Sequence, residues 1–510
     1  MKTDHSAEKN RRGVVTEVVD QPGRIENVGV EHIPDDQRRS SLMNVVWILA
    51  GGSMTFSLTL IGWIPVSLGL GWWDSVSAIV IGTAIGSTFL GPMALFGPRT
   101  GTNSPVSSGA HFGAVGRLIG SALGVSACLV FAALSVWAAG DALAGSTARL
   151  AGAGEAGLTL KSIAYAIVSI IMIVIAVMGH ANMVAFCKWM VPLSGSMMLL
   201  GIFAFYPNFD SNYSGGNYAL GSFWPTWFAG AIACAATCNS YSPYTGDWTR
   251  HIPKEKYKSW QIIVVTWLGC FFGMGGAYMW GAYTAVTFTD PTMNYAIGMV
   301  EMSPGWYLLP VLFIALVPGT AQAVINIYSM GLDFSAIVPK LSRVQSTILL
   351  GIVATVLVYI GAVYEQVANL VASFLAILII VGAPWVMINI IGFINRRGYY
   401  YPEHLQVFNR GEEGGRYWFV GGLEPRATVA WATAVLVGIF FINTGWYVSP
   451  GAKMLGETDI GLIVSTTTAA LVYITLLYKF PEPAYLFGPE GATFRMNESA
   501  IDPLPIRSVE

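Results

Sequence analysis

Charge is scarce in this chain. Only 11% of its 510 residues are Asp, Glu, Lys or Arg, against roughly 25% in a soluble domain. A surface that poor in charge is not a water-facing one. Histidine is scarce as well: His5, His32, His111, His180, His251 and His404 fall in termini, loops or the ends of apolar runs. No two of them have metal-ligand spacing, which argues against a membrane-embedded metalloenzyme. The five cysteines, at 128, 187, 234, 238 and 270, form no CxxC pair and lie in or beside apolar runs, as small packing residues do. No GxSxG nucleophile motif occurs, and residues 1–41 hold no apolar core of a signal peptide, so no cleaved leader is expected. A net charge of -2 and an isoelectric point near 6.3 leave no basic footprint for nucleic acid.

What is abundant is apolar. Hydrophobic residues make up 54% of the chain and mean hydropathy is +0.57. The apolar runs accommodate 12 membrane-spanning helices: 43–69, 74–96, 117–147, 160–179, 183–206, 222–245, 259–287, 305–337, 345–363, 366–393, 428–446 and 460–478. About 20 residues cross the hydrocarbon, so the longer runs imply tilt or interruption. With the N-terminus in the cytoplasm, every Lys and Arg falls on the cytoplasmic side except Arg149, Lys161 and Lys453. That bias sets orientation. It predicts a polytopic protein of the cytoplasmic membrane with both termini inside, whose evident partner is the bilayer and not an obligate second protein. The chain divides into a polar, loosely attached segment 1–41, a ten-helix core 42–393, a cytoplasmic loop 394–427, helices 11 and 12 in 428–478, and a cytoplasmic tail 479–510.

Two spans read as broken. Helix 1 carries Gly51-Gly52-Ser53, then Gly62 and Pro65, while helix 6 carries Asn239-Ser240-Tyr241-Ser242-Pro243 and has no Leu, Ile or Val from 233 to 251. Bare backbone at that depth survives only where it lines a cavity or binds something. Helices 1 and 6 also open two successive sets of five, and interruptions at matching positions mark an inverted-repeat transporter. The predicted fold is therefore all-α, with 12 transmembrane helices and a 5+5 inverted-repeat core broken at helices 1 and 6.

Few residues in the spans can carry chemistry. Asp141, in helix 3, is the carboxylate deepest in a span with no Lys or Arg within seven residues. Such a group faces a cavity or a partner. Being costly when charged, it is expected to carry a proton as well as to contact a ligand. Trp137 lies four residues away on the same face, an aromatic plate beside an acceptor that suits a planar ligand with N–H donors. In helix 8, Gln322, Asn326 and Ser329 form one polar stripe, and Thr320 adds a hydroxyl. Amides donate and accept together, which matches the edge of a nucleobase or hydantoin ring. Asp247 and Arg250, at the inner end of helix 6, suit either a gate pair or a structural cap.

At this point the chain resembles a known family. Gly97-Pro98-Arg99-Thr100-Gly101 followed by Ser104 to Phe112-Gly113, the run Pro243 to Arg250, Asn326 to Leu332, and Val30 to Arg39 are similar in order and spacing to motifs of the nucleobase:cation symporter-1 family. That family takes purines, cytosine, hydantoins, allantoin and uracil. The resemblance implies substrate binding between broken helices 1 and 6 and helices 3 and 8. It places Gly52 and Ser53 at the substrate, Trp137 as the stacking ring, Asn326 as the amide that reads the ring, and Gln322 one turn before it. Asp141 stands where hydantoin-type members carry Gln. The helix 6 aromatic is Tyr241, or is replaced by Cys238 or Asn239. Arg99 joins Asp247 and Arg250 as a gate or structural group. The cation site would use Gly51 carbonyls and helix 8 hydroxyls at Thr320 and Ala321. Ala321 has none, so a proton is favoured over sodium, the one metal ion the resemblance admits. No cofactor is expected. The reading is secondary import of a planar nitrogenous ring, cytosine or a purine first, by cation symport. An amino-acid symporter of the same fold and an uncoupled facilitator are the alternatives.

Overall fold

The computed structural model describes residues 29–153, 156–361, 367–444, 447–499 and 502–508, with the side chains of Pro318, Thr320 and 367–372 outside the description. Among the described residues nine helices are long and apolar enough to span a bilayer, and a tenth span is the pair Leu42–Gly51 and Phe56–Ser67, bent by 63°. These halves are 1a and 1b. The other two of the twelve are helix 6, which runs Phe223–Ser240 (6a), passes through a tight turn and resumes as Thr245–Thr249 (6b), and helix 11, Pro425–Ile439. Helix 2 is Trp72–Met93, helix 3 Leu118–Leu150, helix 4 Leu158–Met178, helix 5 His180–Phe205 and helix 7 Ser259–Ala285. Helix 8 is Leu308–Ile337, helix 9 Arg343–Gly361, helix 10 Val367–Asn395 and helix 12 Gly461–Lys479.

Helix 1 breaks where the sequence places its glycines. Thr55 restarts it as N-cap, its hydroxyl accepting from the Leu58 amide at 3.4 Å, one of the orphan donors a helix start must satisfy. Across the fold, close approach is made by small residues. A Cβ on Gly62 would overlap the Tyr278 carbonyl of helix 7, and one on Gly281 would overlap the Thr59 carbonyl of 1b. On the other side, Cβ atoms on Gly82 and Gly86 of helix 2 would overlap Ala231 and Ala235 of 6a. Helix 7 also meets 1a, where a Cβ on Gly273 would crowd Ala50; helix 7 thus packs on helix 1 as helix 2 packs on helix 6, the pairs that an inverted repeat relates. Helices 3 and 8, equivalent in the two repeats, pack along each other more extensively than any other pair. Helices 11 and 12 pack on helix 10, outside the core.

Two helices lie in segments read as loops. Ser104–Phe112 connects helices 2 and 3, and Tyr295–Met302 connects helices 7 and 8. Each has an asparagine N-cap, Asn103 accepting from Val106 N at 3.2 Å and Asn294 from Ala296 N at 2.9 Å. Nine and eight residues are too short to register as spans. The N-terminal segment also differs from its expectation from residue 29 onward. Residues 29–40 form a strap across one end of the bundle. Ile33 N donates to Gly101 O at 2.9 Å and Ser40 N to His251 O at 2.8 Å. Arg38 Nη1 donates to Pro98 O at 2.8 Å. The part of the expectation that falls on 1–28 lies outside the described residues. The tail is fixed at the same end by a buried ion pair, Arg396 with Glu482 at 2.5 Å.

Candidate functional site

The break in helix 1 collects hydroxyls around one amide. Thr55 and Ser57 enter from the start of 1b, Ser135 from helix 3 and Gln322 from helix 8. The Gln322 carbonyl oxygen accepts from Thr55 Oγ1 at 2.8 Å, from Ser57 Oγ and from Ser135 Oγ at 3.3 Å. Its amide nitrogen lies 3.5 Å from the Tyr241 hydroxyl at the end of 6a. With the carbonyl spent on hydroxyls, Gln322 has only amide N–H left to offer a ligand. Helices 1, 3, 6 and 8 therefore converge here, on residues all at most 1% exposed.

Asn326 lies one turn further along helix 8 on the same face. It is fully buried, and neither its oxygen nor its nitrogen has a partner among the described residues. A buried polar amide without a partner is rare and marks a place where something pairs with it. Ser329, in the next turn, is buried with its hydroxyl unpaired too. Below them the aromatic rings of Tyr241, Tyr244 and Trp248 form a closed group, with centroids 5.0, 5.9 and 5.7 Å apart.

The remaining expected residues fall as follows. Gly52 packs directly on Ile325 of helix 8 and Gly51 on Cys187 of helix 5. Ser53 is buried, its hydroxyl spent on the Leu49 carbonyl. Asn239 is buried with its amide toward Gly382 of helix 10 and its oxygen 3.5 Å from Ser242 Oγ. Trp137 is half-buried and packs on the core. Asp141 is not part of the Gln322 cluster. Its carboxylate accepts from the Tyr165 hydroxyl of helix 4 at 2.5 Å, and it lines a cavity of about 170 Å³ with Arg149, Lys161 and Glu301 at the other end of the bundle. Thr320 lies on helix 8, its side chain outside the description. The Ala321 position supplies no oxygen. Arg99 bonds Ser259 at the start of helix 7, at 3.3 Å. Asp247 and Arg250 are both fully buried under the strap, with Arg250 donating to Gly29 O and, at 3.4 Å, to the Tyr328 hydroxyl.

Sequence reasoning missed Thr55, Ser57 and Ser135. The signal was there for the first two, hydroxyls directly after Gly51-Gly52-Ser53 in an otherwise apolar run. Ser135 had none, because a single serine in a membrane helix is ordinary.

A helix bundle with two interrupted helices at its centre, matched close contacts on both, and a buried amide at the breaks with no partner among the described residues is the architecture of an inverted-repeat transporter. Residues 32–464 match the family model described as "Permease for cytosine/purines, uracil, thiamine, allantoin", and the chain belongs to that family. It is 25% identical over 469 residues to a Bacillus subtilis (strain 168) protein named "Putative purine-cytosine permease YxlA", covering 89% of this chain and 96% of that one. Among solved structures it resembles Mhp1, a nucleobase-cation-symport-1 family transporter, in a closed conformation with bromovinylhydantoin bound (TM-score 0.69, 17% identity, 91% and 97% of the chains covered). The inward-facing conformation of Mhp1 matches at a TM-score of 0.67, with 17% identity over 91% and 96% of the chains. A Na+-coupled sialic acid symporter shares the fold more distantly, at a TM-score of 0.52 and 12% identity over 91% and 93%.

Proposed function

We propose that this protein imports a nucleobase, cytosine or a purine first, together with a cation, by alternating access across the cytoplasmic membrane, with both termini in the cytoplasm. The observation that carries the reading is Asn326, a buried amide whose donor and acceptor have no partner among the described residues, one turn from an amide whose carbonyl is already spent. That pattern complements a ring edge carrying adjacent N–H and C=O, or ring N and amine. Tyr241 closes the site from below. The name of the Bacillus relative supports purine and cytosine over the other compounds of the family description. The coupling ion is a proton, because Ala321 removes an oxygen that a dehydrated sodium ion would need. Sidedness rests on the distribution of Lys and Arg.

An amino-acid symporter of the same fold is the competing reading. Purified protein is screened by thermal shift against cytosine, adenine, hypoxanthine, uracil, hydantoin, allantoin, thiamine and an amino-acid mixture. Cytosine or a purine is expected to raise the melting temperature and to undergo counterflow in proteoliposomes. Protection and counterflow by the amino acids alone would refute the reading.

A further inference from the structure

The polar stripe of helix 8 does not end at Ser329. Gln322, Asn326, Ser329 and Asp333 succeed one another at helical spacing, so Asp333 lies about 16 Å along the axis from Gln322. Helix 3 runs antiparallel beside this face: Ser135 meets Gln322, and Gly124, eleven residues back, meets Asp333. The stripe therefore runs from the helix breaks to the strap end of the bundle, between helices 3, 6b and 8.

Asp333 is fully buried. One carboxylate oxygen accepts from Asn103 Nδ2 at 3.0 Å. The other has no partner among the described residues and points at Gly124, where even a methyl group would overlap it. Among the described residues, charged and titratable groups face it from several elements. Asp247 and Arg250 lie toward it from 6b, and Cys128 from helix 3. Arg117 reaches the neighbouring turn at Ala336 O, at 3.2 Å. Asp333 thus shares its surroundings with a second buried carboxylate, Asp247, and with the Arg250 guanidinium. An oxygen held bare in such a place is costly as an anion and not as an acid.

We propose that Asp333 binds the coupling proton, taking it on its unpaired oxygen from the Asn326–Ser329 stripe and releasing it to the cytoplasm when the strap end opens. This rests on the reading of the chain as a proton-coupled nucleobase importer and names the site of the coupling. The O–H bond formed at Asp333 removes the charge that Asn103 faces. Asn103 is also the N-cap of Ser104–Phe112, and Ser104 Oγ accepts from Gly246 N of 6b at 2.8 Å. Neutralising Asp333 therefore weakens the contact that ties helix 8 to the two short helices sealing this end. The loaded, protonated protein opens inward, and proton and base leave together.

The test uses the full chain in proteoliposomes with labelled cytosine, or labelled adenine if adenine is the base that binds. Wild type accumulates the base under an imposed inward pH gradient and shows counterflow without one. Asp333→Asn is expected to lose at least 90% of pH-driven accumulation while counterflow persists, and Asp333→Glu to restore part of the drive. Binding of the base by purified wild type takes up a proton, read with a pH indicator, and binding by Asp333→Asn takes up none. If Asp333→Asn does not fold, Asn103→Ala decides: it moves the pH of half-maximal uptake by at least half a unit. Accumulation in Asp333→Asn within twofold of wild type, or an unmoved pH profile in Asn103→Ala, overturns the proposal. Absence of counterflow with both bases in wild type would instead overturn the functional reading beneath it.

Discussion

Asn326 and Gln322 are both buried amides on one face of helix 8, yet truncating them is expected to move the stability of the unliganded protein in opposite directions. Neither polar atom of Asn326 is paired within the described chain. An unpaired buried amide costs roughly 1–3 kcal/mol. Asn326→Ala removes that cost and leaves a small cavity worth less than about 1 kcal/mol. The unliganded variant is therefore expected to be as stable as wild type or up to about 2 kcal/mol more stable, on the same unpaired-group scale. Gln322→Ala does the reverse. It strips the shared acceptor from Thr55, Ser57 and Ser135, leaving buried hydroxyls to bond one another, at a cost of about 2–4 kcal/mol. Binding falls in both. For Asn326→Ala the loss of two hydrogen bonds to the ring edge amounts to about 1.5–3 kcal/mol, roughly ten- to a hundredfold in affinity. Thermal melting with and without cytosine, together with calorimetric titration, reads both quantities. If unliganded Asn326→Ala melts as far below wild type as Gln322→Ala does, Asn326 is a structural amide and the site argument fails.

Three further outcomes are expected. Trp137→Ala should weaken base binding about tenfold or more, since stacking on an aromatic plate is worth roughly 1–3 kcal/mol; affinity unchanged within twofold would remove Trp137 from the site. Asp459, in the loop before helix 12, is pushed up to about 6 by burial, against the backbone amides of Asn443 and Gly461 that it accepts from. A carboxyl raised in the folded state binds more protons folded than unfolded, so its stabilisation is full below about pH 4 and is lost as pH rises to about 6, some 3 kcal/mol in all. Asp459→Asn should accordingly flatten the fall in melting temperature between pH 4 and 6, and a slope identical to wild type would contradict the assignment. Cysteine placed at Asn217 should react with impermeant thiol reagents from outside intact cells, and cysteine at Lys256 only after permeabilisation; the opposite pattern would invert the topology.

The sequence determined by itself what is local. Apolar runs of span length, the one-sided placement of Lys and Arg, and the glycines and proline that interrupt helices 1 and 6 are properties of short segments, and the bent helix 1 stands where Gly51-Gly52-Ser53 puts it. Helical spacing also sets Gln322, Asn326 and Ser329 on one face of helix 8 from the sequence alone. Which neighbour each face meets was decided only by tertiary packing, because a helix is free to turn about its axis until small and large residues lock it. Gly140 fits against the Tyr165 ring, with Asp141 turned to helix 4 and Ser135 meeting Gln322 of helix 8. The strap of residues 29–40 and the Asn103–Asp333 bond were illegible for the same reason. Their partners lie 60 to 376 residues away in the chain, and no local pattern encodes a contact between segments that only the finished bundle brings together.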